Sequence, residues 1–358
     1  MKVVIIGAGI IGLLTAFKLA KAGHQVTLLE KNVGSTEASW AGGGIVSPMY
    51  PWRYAPPVSA LSQLAQAEYP LLAQELLELT QINIELNQCG MLMLNTDDKR
   101  DAHVWAAYYQ QKIAYLNTTQ INELSPLIAP FNDALWLPQV ANVRNPRLLQ
   151  ALTKALSLLG VIHITEAEVC TLHHTQGQLI SVQTTTQQEY QADMFVLATG
   201  AWSGGILEKL NIQIPVKPMK GQMLLYKLPQ QVLAQIVLHQ GHYLIPRQDG
   251  HLLCGSTLED TGFDKQTTAQ ALALLSQSAQ RILPLLADYK PIKQWAGLRP
   301  SSPNGIPFIG KLPQFSNVWL NAGQFRNGLV LAPASAQLLV DLMQGHTPQV
   351  NPQPYQIF

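Results

Sequence analysis

The sequence predicts an α/β fold: a discontinuous Rossmann-like domain that binds a dinucleotide, joined to an α+β domain with a mainly antiparallel sheet. Three observations predict it. The first 31 residues read as strand, glycine turn, helix and strand, with Gly7-Ala8-Gly9-Ile10-Ile11-Gly12 at the turn. Further βα-type segments sit in the middle and at the end of the chain, at 194–202 and 318–343. Between them, from residue 217 on, the pattern becomes that of antiparallel strands.

The opening unit has its full context. Residues 3–6 are β-branched and apolar, which suits a short buried strand. Residues 13–22 are helix formers, and Gly23 is placed for a C-cap. Residues 26–29 form a second strand that ends on Glu30. In such a unit Gly7 allows the tight turn, Gly9 lets backbone approach a pyrophosphate, and Gly12 lets the helix pack on the strand. The pyrophosphate rests on free N–H groups at the helix N-terminus, and the acid accepts from ribose hydroxyls. By itself this unit is equally compatible with NAD and FAD. Lys2, an apolar run and Ala20-Lys21-Ala22 also resemble a secretory leader, but three phosphate-loop glycines and Lys18 inside the run argue against one.

Residues 32–57 are irregular, centred on Trp40-Ala41-Gly42-Gly43-Gly44-Ile45-Val46. Consecutive glycines cost backbone entropy and make sense where backbone passes close to a ligand. The run Tyr50, Trp52, Arg53, Tyr54 either walls a pocket or caps the core. Helix is expected over 58–86, broken or restarted at Pro70, then strand at 90–94 and helix over 97–113. Residues 116–124 read as a connector and 134–138 as a strand. A helix opens at Asn145-Pro146 and closes at Gly160, followed by a strand at 161–164 and a hairpin at 168–172 and 179–184. Residues 194–198 form a buried strand running into Thr199-Gly200. Strands follow at 222–226, 235–238, 242–246 and 251–255, with Asp249-Gly250 as a hairpin turn. The period of two places Tyr243 and Ile245 on one face. The remainder reads as helix 267–286, strands 289–298, 306–309 and 318–321, and a closing helix over 327–343. These assignments put the nucleotide domain at 1–86, 140–216 and 290–358, and the second domain at 87–139 and 217–289.

Composition narrows the function. The chain has 358 residues, 13% of them charged, with a net charge of +1. Without a basic block, nucleic-acid binding is not expected. The three cysteines are separate in sequence and form no C-x-x-C, so free thiols in a reducing, cytoplasmic setting and no metal site are expected. No uninterrupted apolar run reaches membrane-span length.

The turn at 7–12 with Glu30, Ala198-Thr199-Gly200, Gly297-Leu298-Arg299-Pro300 and Phe325-Arg326-Asn327-Gly328 together resemble the D-amino-acid-oxidase-like flavoproteins, and among them the bacterial glycine oxidases of thiamine biosynthesis. The resemblance spans essentially the whole chain. It implies FAD between the two domains. Glu30 and Lys31 would hold the adenosine end, with Val169 touching the adenine side through its backbone. Ala38, Ser39, Gly43, Gly44 and Ile45 would line the flavin. The loop 324–330 would close over the pyrimidine edge of the ring, with Gly323, Arg326, Asn327, Gly328 and Leu329 among the cofactor-binding residues, and a helix N-terminus there favours the charge of a reduced flavin.

The resemblance also implies an amino-acid substrate. Arg299 matches the carboxylate-binding arginine, whose planar guanidinium grips a carboxylate at two points, and Tyr243 matches its second ligand. Arg326 matches a further arginine near the substrate. The implied reaction moves hydride from Cα to the flavin, after which water releases the oxo acid and ammonia, and molecular oxygen becomes hydrogen peroxide. Gln324 and Leu258 depart from the residues common in glycine oxidases, which leaves glycine, sarcosine and small D-amino acids open. Residues 298–303 lack a cysteine, so FAD is expected to be non-covalent. The rival reactions are a D-amino-acid dehydrogenase feeding quinone and a tRNA-modifying flavoprotein. A homo-oligomer is also implied, although no apolar stripe marks its interface.

Overall fold

The computed structural model describes residues 1–357. A six-stranded sheet carries the nucleotide-binding unit. Its order in space is Phe308–Lys311, Val318–Ala322, Met194–Leu197, Lys2–Ile6, Gln25–Leu29, Ile162–Ile164. All neighbours are parallel except Phe308–Lys311, which runs antiparallel to Val318–Ala322. The first strand is apolar on both faces because both are covered. Val3 and Ile5 enter a core formed with the helices Ile10–Lys21, Pro56–Thr80, Asn145–Leu158 and Gly328–Gln344. Val4 and Ile6 enter a second core, closed by the three-stranded sheet of Val169–Thr175, Gln178–Thr184 and Glu189–Gln191.

The second sheet has eight strands, in the order Lys293–Ser301, Lys217–Lys227, His251–Gly255, His242–Pro246, Ile236–His239, Met91–Leu94, Asp133–Leu137, Ala114–Asn117. Only Ile236–His239 and Met91–Leu94 pair in parallel. Period-two alternation sorts its side chains. Leu244 joins the core under the helix Ala269–Ile282, whereas Tyr243 and Ile245 join Met91, Met93 and Met223 on the opposite face. Ile45, Met49, Tyr50 and Trp52 pack against that second face.

Several sequence expectations need correction. The helix expected over 58–86 is Pro56–Thr80, and Pro70 does not interrupt it. Leu61, Ala65, Tyr69, Leu72 and Leu76 are all buried along one stripe, and their packing outweighs the one lost backbone bond. Gln81 ends the helix in a left-handed conformation (φ 59°), its N–H donating to the Leu77 carbonyl at 2.8 Å. The helix expected over 97–113 is only Lys99–Tyr108. The connector at 116–124 is instead the strand Ala114–Asn117 and the helix Thr118–Leu124, started by a reciprocal capping box between Asn117 and Gln120. The strand expected at 289–298 is Lys293–Ser301. It is the edge of the eight-stranded sheet, although residues 290–358 read as part of the nucleotide domain. Arg299 is therefore presented by the second sheet. No helix among the described residues is long and apolar enough to cross a membrane.

Candidate active site

The glycine turn is packed from below and open above. Gly7 has φ +101°, and a Cβ there would sit 2.5 Å from the Ala198 carbonyl oxygen. A Cβ on Gly12 would overlap the Gly7 carbonyl. Gly7 and Gly12 thus let the turn, the helix and the Ala198-Thr199 segment touch. Gly9 is different, since its Cβ would meet only Ser39 Oγ, at 3.2 Å. Gly9 caps the helix Ile10–Lys21 without any side-chain bond, and the Ile10 N–H donates to Ser39 Oγ at 2.9 Å. Glu30 is buried, and its carboxylate accepts from the Ala8 N–H at 2.8 Å and the Asn32 N–H at 3.0 Å.

Two cavities meet at this turn. The outer one, of about 380 Å³, is lined by Gly7, Glu30, Lys31, Val169, Thr199 and Trp202. Lys31 Nζ stands 3.2 Å from the centre of the Trp202 ring, a cation–π contact, and burial lowers its pKa. The inner one, of about 160 Å³, is lined by Gly43, Gly44, Ile45, Tyr243, Arg299 and Arg326, among others. Both are lined by Gly9, Ala38, Ser39, Ala198 and Gly200. The result is one trough running from Glu30 past the helix N-terminus to Arg299.

The inner wall is held by side chains that sequence reasoning missed. Asn145 donates to the Ser39 carbonyl at 2.8 Å and the Gly42 carbonyl at 3.0 Å. Arg247 Nη2 donates to the Gly43 carbonyl at 3.0 Å. Gly44 has φ +85°, and a Cβ there would lie 2.6 Å from Asn145 Oδ1. The Asn-Pro pair at 145–146 marked a helix start but carried no signal for this second task. At the far side Gly328 and Leu329 open the helix Gly328–Gln344 with no side-chain cap, so its N-terminal dipole faces the trough.

Arg299 is the dominant charge of the inner cavity. Its Nη2 donates to Ser256 Oγ at 2.7 Å, and its Nη1 to the Thr257 carbonyl at 3.2 Å and the Lys220 carbonyl at 3.4 Å. It makes no ion pair with any carboxylate among the described residues, whereas Arg53 pairs with Asp98 at 2.5 Å and Arg144 with Asp249 at 2.8 Å. Burial lowers its pKa, and the neighbouring Arg326 adds to the effect. Tyr243 is buried, and its hydroxyl donates only to Met223 Sδ, at 3.3 Å, a weak acceptor. Arg326 is exposed at the mouth of the inner cavity.

Of the expected cofactor residues, Gly12, Gly323 and Asn327 stand behind the walls. Gly323 (φ +86°) gives its carbonyl to Ser302 Oγ at 2.6 Å. Asn327 is buried with Nδ2 unpartnered among the described residues. The aromatic run does both tasks foreseen for it. Tyr50 and Trp52 pack on the core, while Tyr50, Arg53 and Tyr54 wall a cleft next to Arg326.

A long trough with glycines where backbone must approach a ligand, a buried acid at one end and a helix N-terminus in the middle suits a dinucleotide cofactor. The orphaned polar atoms Asn145 Oδ1 and Asn327 Nδ2, both at or beside the inner cavity, suit one with a polar ring at its far end. A family model described as FAD dependent oxidoreductase matches residues 2–342. The chain belongs to this family. This flavoenzyme is 47% identical over 355 residues to a protein named glycine oxidase from Pseudomonas aeruginosa, covering 99% of this chain and 98% of that one. Among solved structures it superposes on glycine oxidase from Geobacillus kaustophilus with a TM-score of 0.92 at 26% identity, covering 99% of this chain and 98% of that one. It also superposes on iminodiacetate oxidase from Chelativorans sp. BNC1, with a TM-score of 0.90 at 26% identity and coverage of 99% and 98%. The mixed α/β architecture is thus that of the glycine oxidase structures, and the cofactor is FAD.

Proposed function

We propose that this flavoenzyme oxidises glycine or another small primary or secondary amino acid at Cα, releasing the oxo acid, ammonia or an amine, and hydrogen peroxide. The observation that carries the reading is the unpaired guanidinium of Arg299 facing the inner cavity. A half-buried cation without a carboxylate costs free energy that an anionic ligand recovers. The α-carboxylate of an amino acid suits the planar fork of donors, and the Tyr243 hydroxyl, tied only to a thioether, is free to turn toward a carboxylate oxygen. The names of the relatives and of the solved structures support the same substrate class.

Glu30 and Lys31 would take the adenosine end of FAD, the N-terminus behind Gly9 its pyrophosphate, and Gly42–Gly44 with 328–329 its ring. When bound, FAD supplies a two-electron acceptor. The chain supplies binding and orientation. Among the described residues lining the inner cavity there is no His, Asp, Glu, Lys or Cys, and Tyr243, assigned here to the carboxylate, is the one acid–base group besides the two arginines. Arg299 and Tyr243 fix the carboxylate, which leaves rotation of Cα as the remaining freedom to be removed by the cavity walls. Limited room beside a bound ring favours small substrates.

Anaerobic addition of glycine, sarcosine and D-alanine to the purified holoprotein tests the reading through the flavin absorbance. Bleaching by one of them, followed in air by oxygen uptake and stoichiometric peroxide, is the expected result. A flavin that stays oxidised with every small amino acid sinks it. Bleaching with turnover only on an artificial acceptor would move it to a dehydrogenase.

A further inference from the structure

Arg247 is a buried cation, and it does not line the trough. It follows the strand His242–Pro246 and is 5% exposed. Its Nη1 donates to Asn142 Oδ1 and its Nη2 to the Gly43 carbonyl, at 3.0 Å for the latter. It makes no ion pair with a carboxylate among the described residues. The nearby acids Glu85 and Asp249 are engaged by Arg144, at 3.2 and 2.8 Å. Burial brings its pKa down to about 10, so the guanidinium stays charged at neutral pH.

A buried, unpaired arginine is costly, and a neutral donor would serve the two hydrogen bonds at lower cost. Its placement shows where the charge acts. The Gly43 carbonyl belongs to the glycine run that walls the inner cavity. A Cβ on Gly43 would lie 3.2 Å from the Tyr243 ring, and one on Gly44 3.1 Å from Arg247 Nη2. Arg247 thus stands directly behind the wall shared by the ring site and the substrate site. Low-dielectric surroundings screen its charge weakly.

We propose that Arg247 is a positioning residue for the flavin: it fixes the Gly43 peptide, and its charge, in direct contact with no carboxylate, raises the reduction potential of the bound FAD. The inference rests on FAD binding and not on the choice of substrate, so it can be tested even if no amino acid is oxidised.

The test is a reductive titration of the holoenzyme against a reference dye, alongside reconstitution of the apoprotein with FAD. Arg247→Met is expected to make the two-electron reduction at least tenfold less favourable, about 30 mV more negative, and to lower kcat more than it raises KM. Arg247→Lys keeps the charge without the fork and should restore most of the potential while binding FAD less tightly. Asn142→Asp places a carboxylate on the guanidinium with little change of shape and should move the potential in the same negative direction as Arg247→Met. If Arg247→Met fails to hold FAD, Asn142→Asp decides the matter alone. Variants that hold FAD at the wild-type potential would overturn the proposal and leave Arg247 a structural brace.

Discussion

The guanidinium of Arg299 lies against Gly221 on the adjacent strand, so close that a Cβ at 221 would overlap its terminal nitrogens. Gly221 thus gives the arginine its seat, and the fork is set by Ser256 Oγ and the Thr257 carbonyl on the other side. Gly221→Ala should push the guanidinium out of register. Overpacking of this kind costs about 1–3 kcal/mol, and roughly a tenfold rise in KM is expected. Tm of the holoprotein should fall by a few degrees, whereas FAD absorbance should change little, because the altered contact is remote from Glu30 and the glycine turn.

Removal of the fork itself should be more severe. Truncating one partner of a buried charged hydrogen bond costs about 3 kcal/mol, so Arg299→Ala should raise KM roughly a hundredfold for any amino-acid substrate. Arg299→Lys should recover only part, since an ammonium has no second in-plane donor. Steady-state kinetics with FAD saturation checked by absorbance measures both. An unchanged KM in Arg299→Ala would remove it from the substrate site.

Tyr243→Phe removes a hydroxyl that donates only to a thioether. Nothing else in the fold is left unsatisfied, so the variant should fold normally. Loss of one neutral hydrogen bond to substrate costs about 1 kcal/mol, roughly a fivefold rise in KM. Melting curves and kinetics on the same preparation separate the two effects.

At the other end of the trough, Gly7→Ala should weaken FAD binding and folding together. Its φ of +101° is unfavourable for alanine, and the added Cβ meets the Ala198 carbonyl at 2.5 Å. Such strain costs about 1–3 kcal/mol. Fluorescence titration of apoprotein with FAD and a lowered Tm are the measurements, and wild-type values in both would contradict the packing described for the turn.

Acid stability should report on the clamp below the aromatic run. Hydrogen bonds from Arg53 and Trp52 hold the Asp98 carboxyl down to about 2. Its folded pKa lies below the unfolded value of about 3.9, so its contribution is complete above that value and is lost as pH falls toward 2. Asp98→Asn should therefore be less stable at neutral pH and show a flatter acid limb between those values. Denaturant midpoints measured across this range test it.

Much of the site was legible in the sequence for reasons that are local. The glycine turn, Glu30 and the N-terminus at Gly328 follow from backbone sterics and helix ends, which depend on neighbours only a few residues away. Tyr243 was placed on its face by alternation alone. Pro70 was misread because packing overrode the local signal, and the strand Ala114–Asn117 because its ladder partner Asp133–Leu137 lies elsewhere in the chain.

By itself, then, the sequence determined the nucleotide-binding unit and the identity of its glycines. Only the tertiary structure decided how charge is disposed around the inner cavity. Arg299 reaches Ser256 across 43 residues, and Arg247 reaches Gly43 across 204. Whether a buried arginine meets a carboxylate or a bare carbonyl depends on which strands lie side by side, and no periodicity in the chain carries that information.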